Sequence, residues 1–141
     1  TIWERWNSYS VENSFGDSGM NSFNHYAYGA IGEWMYRAMA GIEADPEHPG
    51  FKHAILYPRI GGNLKYTAGK YHSIYGDVGV KWEVQGKQIT LTVQIPVNTT
   101  AEIRLDQAKA VLESDGLTFT READYMAAEA GSGTYHIAFE Q

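Results

Sequence analysis

Near the start of the chain, Trp3-Glu4-Arg5-Trp6 sets a carboxylate between two indoles and beside a guanidinium. A second dense run, Asn21-Ser22-Phe23-Asn24-His25-Tyr26-Ala27-Tyr28-Gly29, adds an imidazole, two amides and several aromatic rings. These are the groups a sugar site uses. Aromatic faces cover the C–H side of a pyranose, while carboxylates, amides and imidazoles bond its hydroxyls. Hydrolysis of a glycosidic bond further needs two carboxyl groups, one to protonate the leaving oxygen and one to activate water or attack. Taken singly, each residue has a commoner structural role. Trp3 and Trp6 would pack in a core, Glu4 and Arg5 would form a solvated pair, and His25 would pack at a helix start.

Other chemistry is poorly served. His48, His53, His72 and His136 are scattered, with no helical pair or nearby carboxylate at metal-ligand spacing. No strand-to-helix nucleophile motif surrounds any serine. Asn98-Thr99-Thr100 has the pattern of a glycosylation sequon but is read as the end of a strand. Gly61-Gly62-Asn63 is a turn rather than a phosphate cradle, since no helix follows it. No cofactor and no metal is expected.

The elements that must position the first group differ from those that follow. Ile31, Trp34, Met35, Ala38 and Ile42 recur at helical spacing, and the pattern predicts a helix from near Asn24 to Ala40 with Gly41 as its C-terminal cap. Glu33 and Arg37, four apart, mark its polar strip. Tyr28, Tyr36 and Met39 place apolar bulk beyond one stripe, so the helix is expected to need neighbours on several sides. Asp45-Pro46-Glu47-His48-Pro49-Gly50 is turn chemistry and is read as a joint.

After it the period becomes two. Val78, Val80, Trp82 and Val84 alternate with polar residues or glycine, as do Ile89, Leu91, Val93 and Ile95. Gly86-Lys87 fits a two-residue hairpin turn with glycine first. Pairing Gln85 with Gln88 brings Val84 opposite Ile89, Trp82 opposite Leu91, Val80 opposite Val93 and Val78 opposite Ile95, all on one face. Further strands are expected around Ala101–Leu105 and Tyr135–Phe139, with Ala54–Tyr57 and Lys70–Tyr75 on the other side of the hairpin. Short strands with such punctuation indicate a sandwich of antiparallel sheets.

Composition narrows the partners. The chain has 141 residues, 43% hydrophobic and 20% charged, as folded proteins do. A net charge of −6 argues against nucleic acid and against a polybasic membrane-surface segment. The absence of cysteine excludes disulfides and thiolate metal sites. No apolar stretch is long enough to span a bilayer, and no membrane partner is expected. An opening inside a dense aromatic and charged motif is expected of a piece of a longer protein.

The chain also resembles a known family. Thr1 to Trp6, Gly19 to Gly29, Gly32-Glu33-Trp34, Pro49-Gly50-Phe51-Lys52, Gly79 to Pro96 and Asn98 to Ala101 are similar to the C-terminal part of the bacterial α-L-rhamnosidases of glycoside hydrolase family 78. The likeness covers nearly the whole chain. It implies an (α/α)6-barrel catalytic domain that cleaves terminal α-L-rhamnose with inversion. It also implies that Glu4 is the general base and that His25 contacts the sugar. Trp3, Trp6 and Asn24 are further substrate-binding candidates by residue type, with seating of the loop as the alternative role of Trp3 and Trp6. The general acid lies upstream in family members and is not in this sequence. Arg5 would favour ionisation of Glu4, although neighbours in an extended segment point to opposite sides.

The resulting expectation is a mainly β chain: an antiparallel β-sandwich C-terminal domain, residues 49–141, preceded by a helical segment from the end of an (α/α)6 barrel, residues 1–48. Its partners would be rhamnose-containing glycosides or polysaccharides and the rest of the catalytic barrel. The isolated fragment would be inactive. Two rival readings concern the β-domain alone. One is a carbohydrate-binding module with Tyr66, Tyr71, Tyr75 or Trp82 as platform, although Trp82 lies on the apolar face of the hairpin. The other, the default for residues 49–141, is a structural domain that buttresses the barrel.

Overall fold

The computed structural model describes residues 2–141, and of Tyr28 the backbone only. Thr1 and the side chain of Tyr28, on which part of the motif and of the helix pattern fell, lie outside the described residues. The chain forms two compact units, residues 1–34 and 35–141.

In the first unit, β1 (Tyr9–Ser10) and β2 (Ser14–Phe15) make a small hairpin, a short 3-10 turn covers Ser18–Met20, and α1 spans Tyr28–Trp34. The predicted helix start near Asn24 moves later for a physical reason. The backbone there is already committed to extended pairing, with the His25 N–H donating to the Ile2 carbonyl at 2.9 Å.

In the second unit, Met35–Ala40 is one wide turn of π-helix rather than the end of an α-helix. Its carbonyls bond elsewhere. The Arg59 N–H donates to Ala38 O at 2.9 Å, and the Trp82 indole N–H donates to Met39 O at 2.8 Å. Such bulges arise where side chains or other segments take the helix carbonyls. Gly41 ends the helix, as its position predicts, with φ +75°. A Cβ there would overlap the backbone of Tyr57 and Pro58. Ile42 therefore leaves the helical stripe and enters β3 (Ile42–Ala44), where it is buried.

The remaining strands are β4 (His53–Leu56), β5 (Tyr66–Ser73), β6 (Gly76–Gln85), β7 (Gln88–Ile95), β8 (Thr100–Asp106), β9 (Ala110–Glu113), β10 (Thr120–Arg121), β11 (Tyr125–Ala130) and β12 (Gly133–Glu140). They form two five-stranded sheets in the orders β5-β6-β7-β12-β9 and β10-β11-β8-β4-β3. Their inner faces share one core containing Leu56, Val80, Trp82, Leu91, Val93, Ile103, Leu105 and Phe139. Each fully buried aliphatic side chain of this kind stabilises the fold by roughly 1.5–3 kcal/mol.

The β6–β7 register matches the alternation: Gln85 faces Gln88, Val84 faces Ile89, Trp82 faces Leu91, and Val80 faces Val93. That ladder ends at Gly79 and Gln94, one pair before the expected Val78–Ile95. The expected strand around Lys70–Tyr75 lies beside the hairpin as β5. The Ala54–Tyr57 strand does not. It lies in the other sheet as β4, antiparallel to β3 and parallel to β8, the one parallel pairing among otherwise antiparallel ladders of the described residues. The chain between β4 and β8 passes through the opposite sheet before returning, which leaves the two strands running the same way.

The Asp45–Gly50 turn connects two strands of one sheet rather than two domains, because β3 precedes it and pairs with β4 after it. Asp45 organises that turn, accepting from the Glu47 N–H at 3.0 Å and pairing with His48 Nδ1 at 2.7 Å. Asn98, with φ +62°, turns the chain between β7 and β8. The Thr99 hydroxyl there donates to Pro96 O at 2.7 Å.

Candidate functional site

Within the first unit the two dense sequence runs lie side by side. Ile2 and His25 form an antiparallel bridge, and the Glu4 N–H donates to the Ser22 carbonyl at 2.8 Å. The Glu4 side chain folds back on the same partner, its Oε2 accepting from the Ser22 N–H at 2.9 Å. His25 Nε2 stands 3.9 Å from that oxygen, beyond hydrogen-bond distance. The carboxylate is 23% exposed and the imidazole 42% exposed, so both remain open to a ligand.

Ile2, Trp3, Glu4, Arg5 and Trp6 line a cleft of about 530 Å³, a size suited to a small ligand. Trp3 is held edge-on to Phe23, with centroids 5.1 Å apart, and the series continues through Phe15 to Tyr9. Trp3 nevertheless stays 44% exposed, and Trp6 is fully exposed. Neither indole is a core residue of this unit, the role each would most commonly have. Asn24 is exposed, and its N–H donates to the Ser22 hydroxyl at 3.3 Å.

Arg5 serves a neighbouring turn. Its carbonyl accepts from both the N–H and the hydroxyl of buried Ser8, and its guanidinium lies beside Gly16. The basic side chain facing Glu4 is that of His25. Ser22 is the residue sequence reasoning passed over. Its type carries no signal, because what it contributes is a peptide N–H placed by pairing across 18 positions. Chemically, the arrangement presents an anchored carboxylate beside an imidazole in a cleft with aromatic walls. Such a group can accept a proton from water or bind hydroxyls.

In the second unit, Trp82 is fully buried and unavailable as a platform. Tyr66, Tyr71 and Tyr75 are exposed. Tyr71 stacks on Phe51 at 4.5 Å, and Tyr75 and Tyr66 lie near the ammonium groups of Lys52 and Lys81. Among the described residues, no cluster of three or more histidine, aspartate or glutamate side chains is arranged to hold a metal ion. Among the described residues no helix is long and apolar enough to cross a membrane.

Two family models match successive parts of the chain. Residues 1–39 match the bacterial alpha-L-rhamnosidase 6 hairpin glycosidase domain, and residues 41–119 match the bacterial alpha-L-rhamnosidase C-terminal domain. The chain belongs to the bacterial α-L-rhamnosidase family. It is 40% identical over 140 residues to an α-L-rhamnosidase of Streptomyces avermitilis, which covers 97% of this chain and 13% of that protein. An α-L-rhamnosidase of Formosa agariphila is 43% identical over 122 residues, 85% of this chain and 13% of that protein.

The fold agrees with solved structures. The S. avermitilis enzyme complexed with L-rhamnose superposes with a TM-score of 0.82 at 37% identity, over 98% of this chain and 13% of that one. The α-L-rhamnosidase of Dictyoglumus thermophilum gives 0.79 at 26% identity, over 100% of this chain and 16% of that one. The sequence thus spans about an eighth of the length of the curated relatives it matches.

Proposed function

We propose that this chain is the C-terminal portion of an enzyme that removes terminal α-L-rhamnose from glycosides or polysaccharides. Glu4 is the general base. It takes a proton from a water that attacks the anomeric carbon, the glycosidic C–O bond breaks, and the leaving oxygen takes a proton from an acid elsewhere in the parent chain. The sugar inverts at that carbon. Inversion requires the two carboxyl groups to stand roughly 6.5–9.5 Å apart, with room for the water. His25 and Asn24 bond sugar hydroxyls, while Trp3 and Trp6 wall the cleft.

One observation carries the reading: the Glu4 carboxylate, anchored and still partly exposed, lies beside His25 in an aromatic cleft of a chain that belongs to this family. The first unit contributes to the catalytic barrel, with the rest of that barrel as its partner. The β-sandwich buttresses it. The sandwich begins before residue 49, since Ile42–Ala44 already pair within it.

In the intact parent, Glu4→Ala should lower kcat by roughly 10²–10⁴-fold, the usual contribution of general-base catalysis. Azide should restore turnover of an aryl α-L-rhamnoside and give the β-L-rhamnosyl azide, since an anionic nucleophile needs no base. Normal hydrolysis by Glu4→Ala would overturn the assignment. The 141-residue chain alone should release no aryl alcohol.

A further inference from the structure

We infer that the Ser22 peptide N–H is a positioning group for the base, holding Glu4 Oε2 so that Oε1 is the oxygen that takes the water proton. The inference rests on the reading of Glu4 as the base and specifies which of its oxygens reacts.

The geometry comes from an irregularity in the pairing. Ile2 is opposite His25, so regular antiparallel register would set Glu4 opposite Phe23. The Glu4 N–H instead meets the carbonyl of Ser22, one residue further on. Trp3 therefore faces two residues, Phe23 and Asn24, across a one-residue bulge. Bulges twist a strand and re-aim side chains, and here the Ser22 peptide is turned toward the Glu4 carboxylate. Glu4 and Ser22 thus make two reciprocal bonds, backbone to backbone at 2.8 Å and N–H to Oε2 at 2.9 Å. His25 Nε2 approaches the same oxygen at 3.9 Å.

Among the described residues both contacts fall on Oε2 and none on Oε1. A glutamate side chain has three rotatable bonds, and a fixed donor on one oxygen removes most of that freedom while leaving the other for water. Catalysis depends on such placement, because an ångström of misalignment slows proton transfer far more than it weakens substrate binding.

The test exchanges one atom in the parent enzyme. Glyceric acid at position 22, the α-hydroxy analogue of serine, replaces the N–H by an ester oxygen and keeps the hydroxyl that accepts from the Asn24 N–H. The ester should lower kcat roughly 10–100-fold with KM within about twofold, as for loss of a hydrogen bond to a charged group. In a Glu4→Ala background assayed with azide, the ester should have no further effect, because Ser22 acts only through that carboxylate.

A kcat unchanged or raised in the ester variant would overturn the inference, as would an equal loss in the Glu4→Ala background. Full activity of Glu4→Ala itself would instead remove the base reading beneath it. Should the ester fail to fold, nuclear magnetic resonance of the 141-residue chain decides the point. The Ser22 amide proton should move upfield in Glu4→Ala, and an unmoved resonance would refute the contact.

Discussion

Gly41 separates two costs that a substitution of glycine usually mixes. At φ +75° any side chain is strained, by about 1–2 kcal/mol for an L-residue in the left-handed region. Fewer unfolded conformations for alanine return about 0.4–1 kcal/mol. Gly62 has a similar φ, +63°, with nothing near the position of its Cβ, so Gly62→Ala should cost about 1 kcal/mol. Gly41→Ala adds a collision with the backbone of Tyr57 and Pro58. That backbone is pinned on both sides, by the Tyr57 N–H on Gly41 O at 2.8 Å and the Arg59 N–H on Ala38 O at 2.9 Å. Making room stretches both bonds, at about 0.5–1.5 kcal/mol each, and displaces Ala40 and Ile42 from the core. Overpacking of that kind costs about 1–3 kcal/mol. The expected loss is about 3–7 kcal/mol, which is a large share of a typical domain's stability. Urea unfolding followed by tryptophan fluorescence measures it, since Trp82 is fully buried and passes to water on unfolding. If Gly41→Ala lies within 1 kcal/mol of Gly62→Ala, the steric reasoning is wrong and only the backbone angle matters.

Two further outcomes follow from the second unit. Trp82→Phe removes the indole bond to Met39 O and leaves that carbonyl without its donor, so it should cost about 2–4 kcal/mol in denaturant unfolding. Faster amide exchange across Met35–Ala40 should accompany it, and exchange unchanged there would show that the π-turn does not depend on Trp82. Acid should also weaken this unit in a particular way. The carboxyls of Asp45 and Asp77 are held below the ordinary range chiefly by side-chain bonds from His48 and His72, and that of Asp115 chiefly by the His136 N–H. A depressed carboxyl contributes stability above its unfolded value, near 3.8, and loses it as pH falls through the lower folded value. Thermal midpoints should therefore fall below about pH 4. Asp77→Asn should flatten that fall, and salt should mute it because these pairs are exposed. A parallel pH curve for Asp77→Asn would show that its ion pairs with Lys70 and His72 contribute nothing.

What the sequence by itself determined was local. The two-residue period and the Gly86-Lys87 turn set the β6–β7 register, since a slip of one residue would put Leu91 and Val93 on the face opposite Trp82 and Val80. Gly41 marked the helix end by its residue type, because backbone sterics at one residue decide it. The first motif run also marked residues that line the cleft. Pairing between distant segments was decided only in three dimensions. Nothing in His53–Leu56 says that its neighbours will be β3 and, in parallel, β8 rather than the nearby hairpin, because the same alternating pattern satisfies either sheet. The π-turn depends on Trp82 and Arg59 reaching carbonyls 43 and 21 positions away in the chain. The anchoring of Glu4 depends on a peptide N–H, a group every residue but proline carries, so no choice of side chain could have announced it.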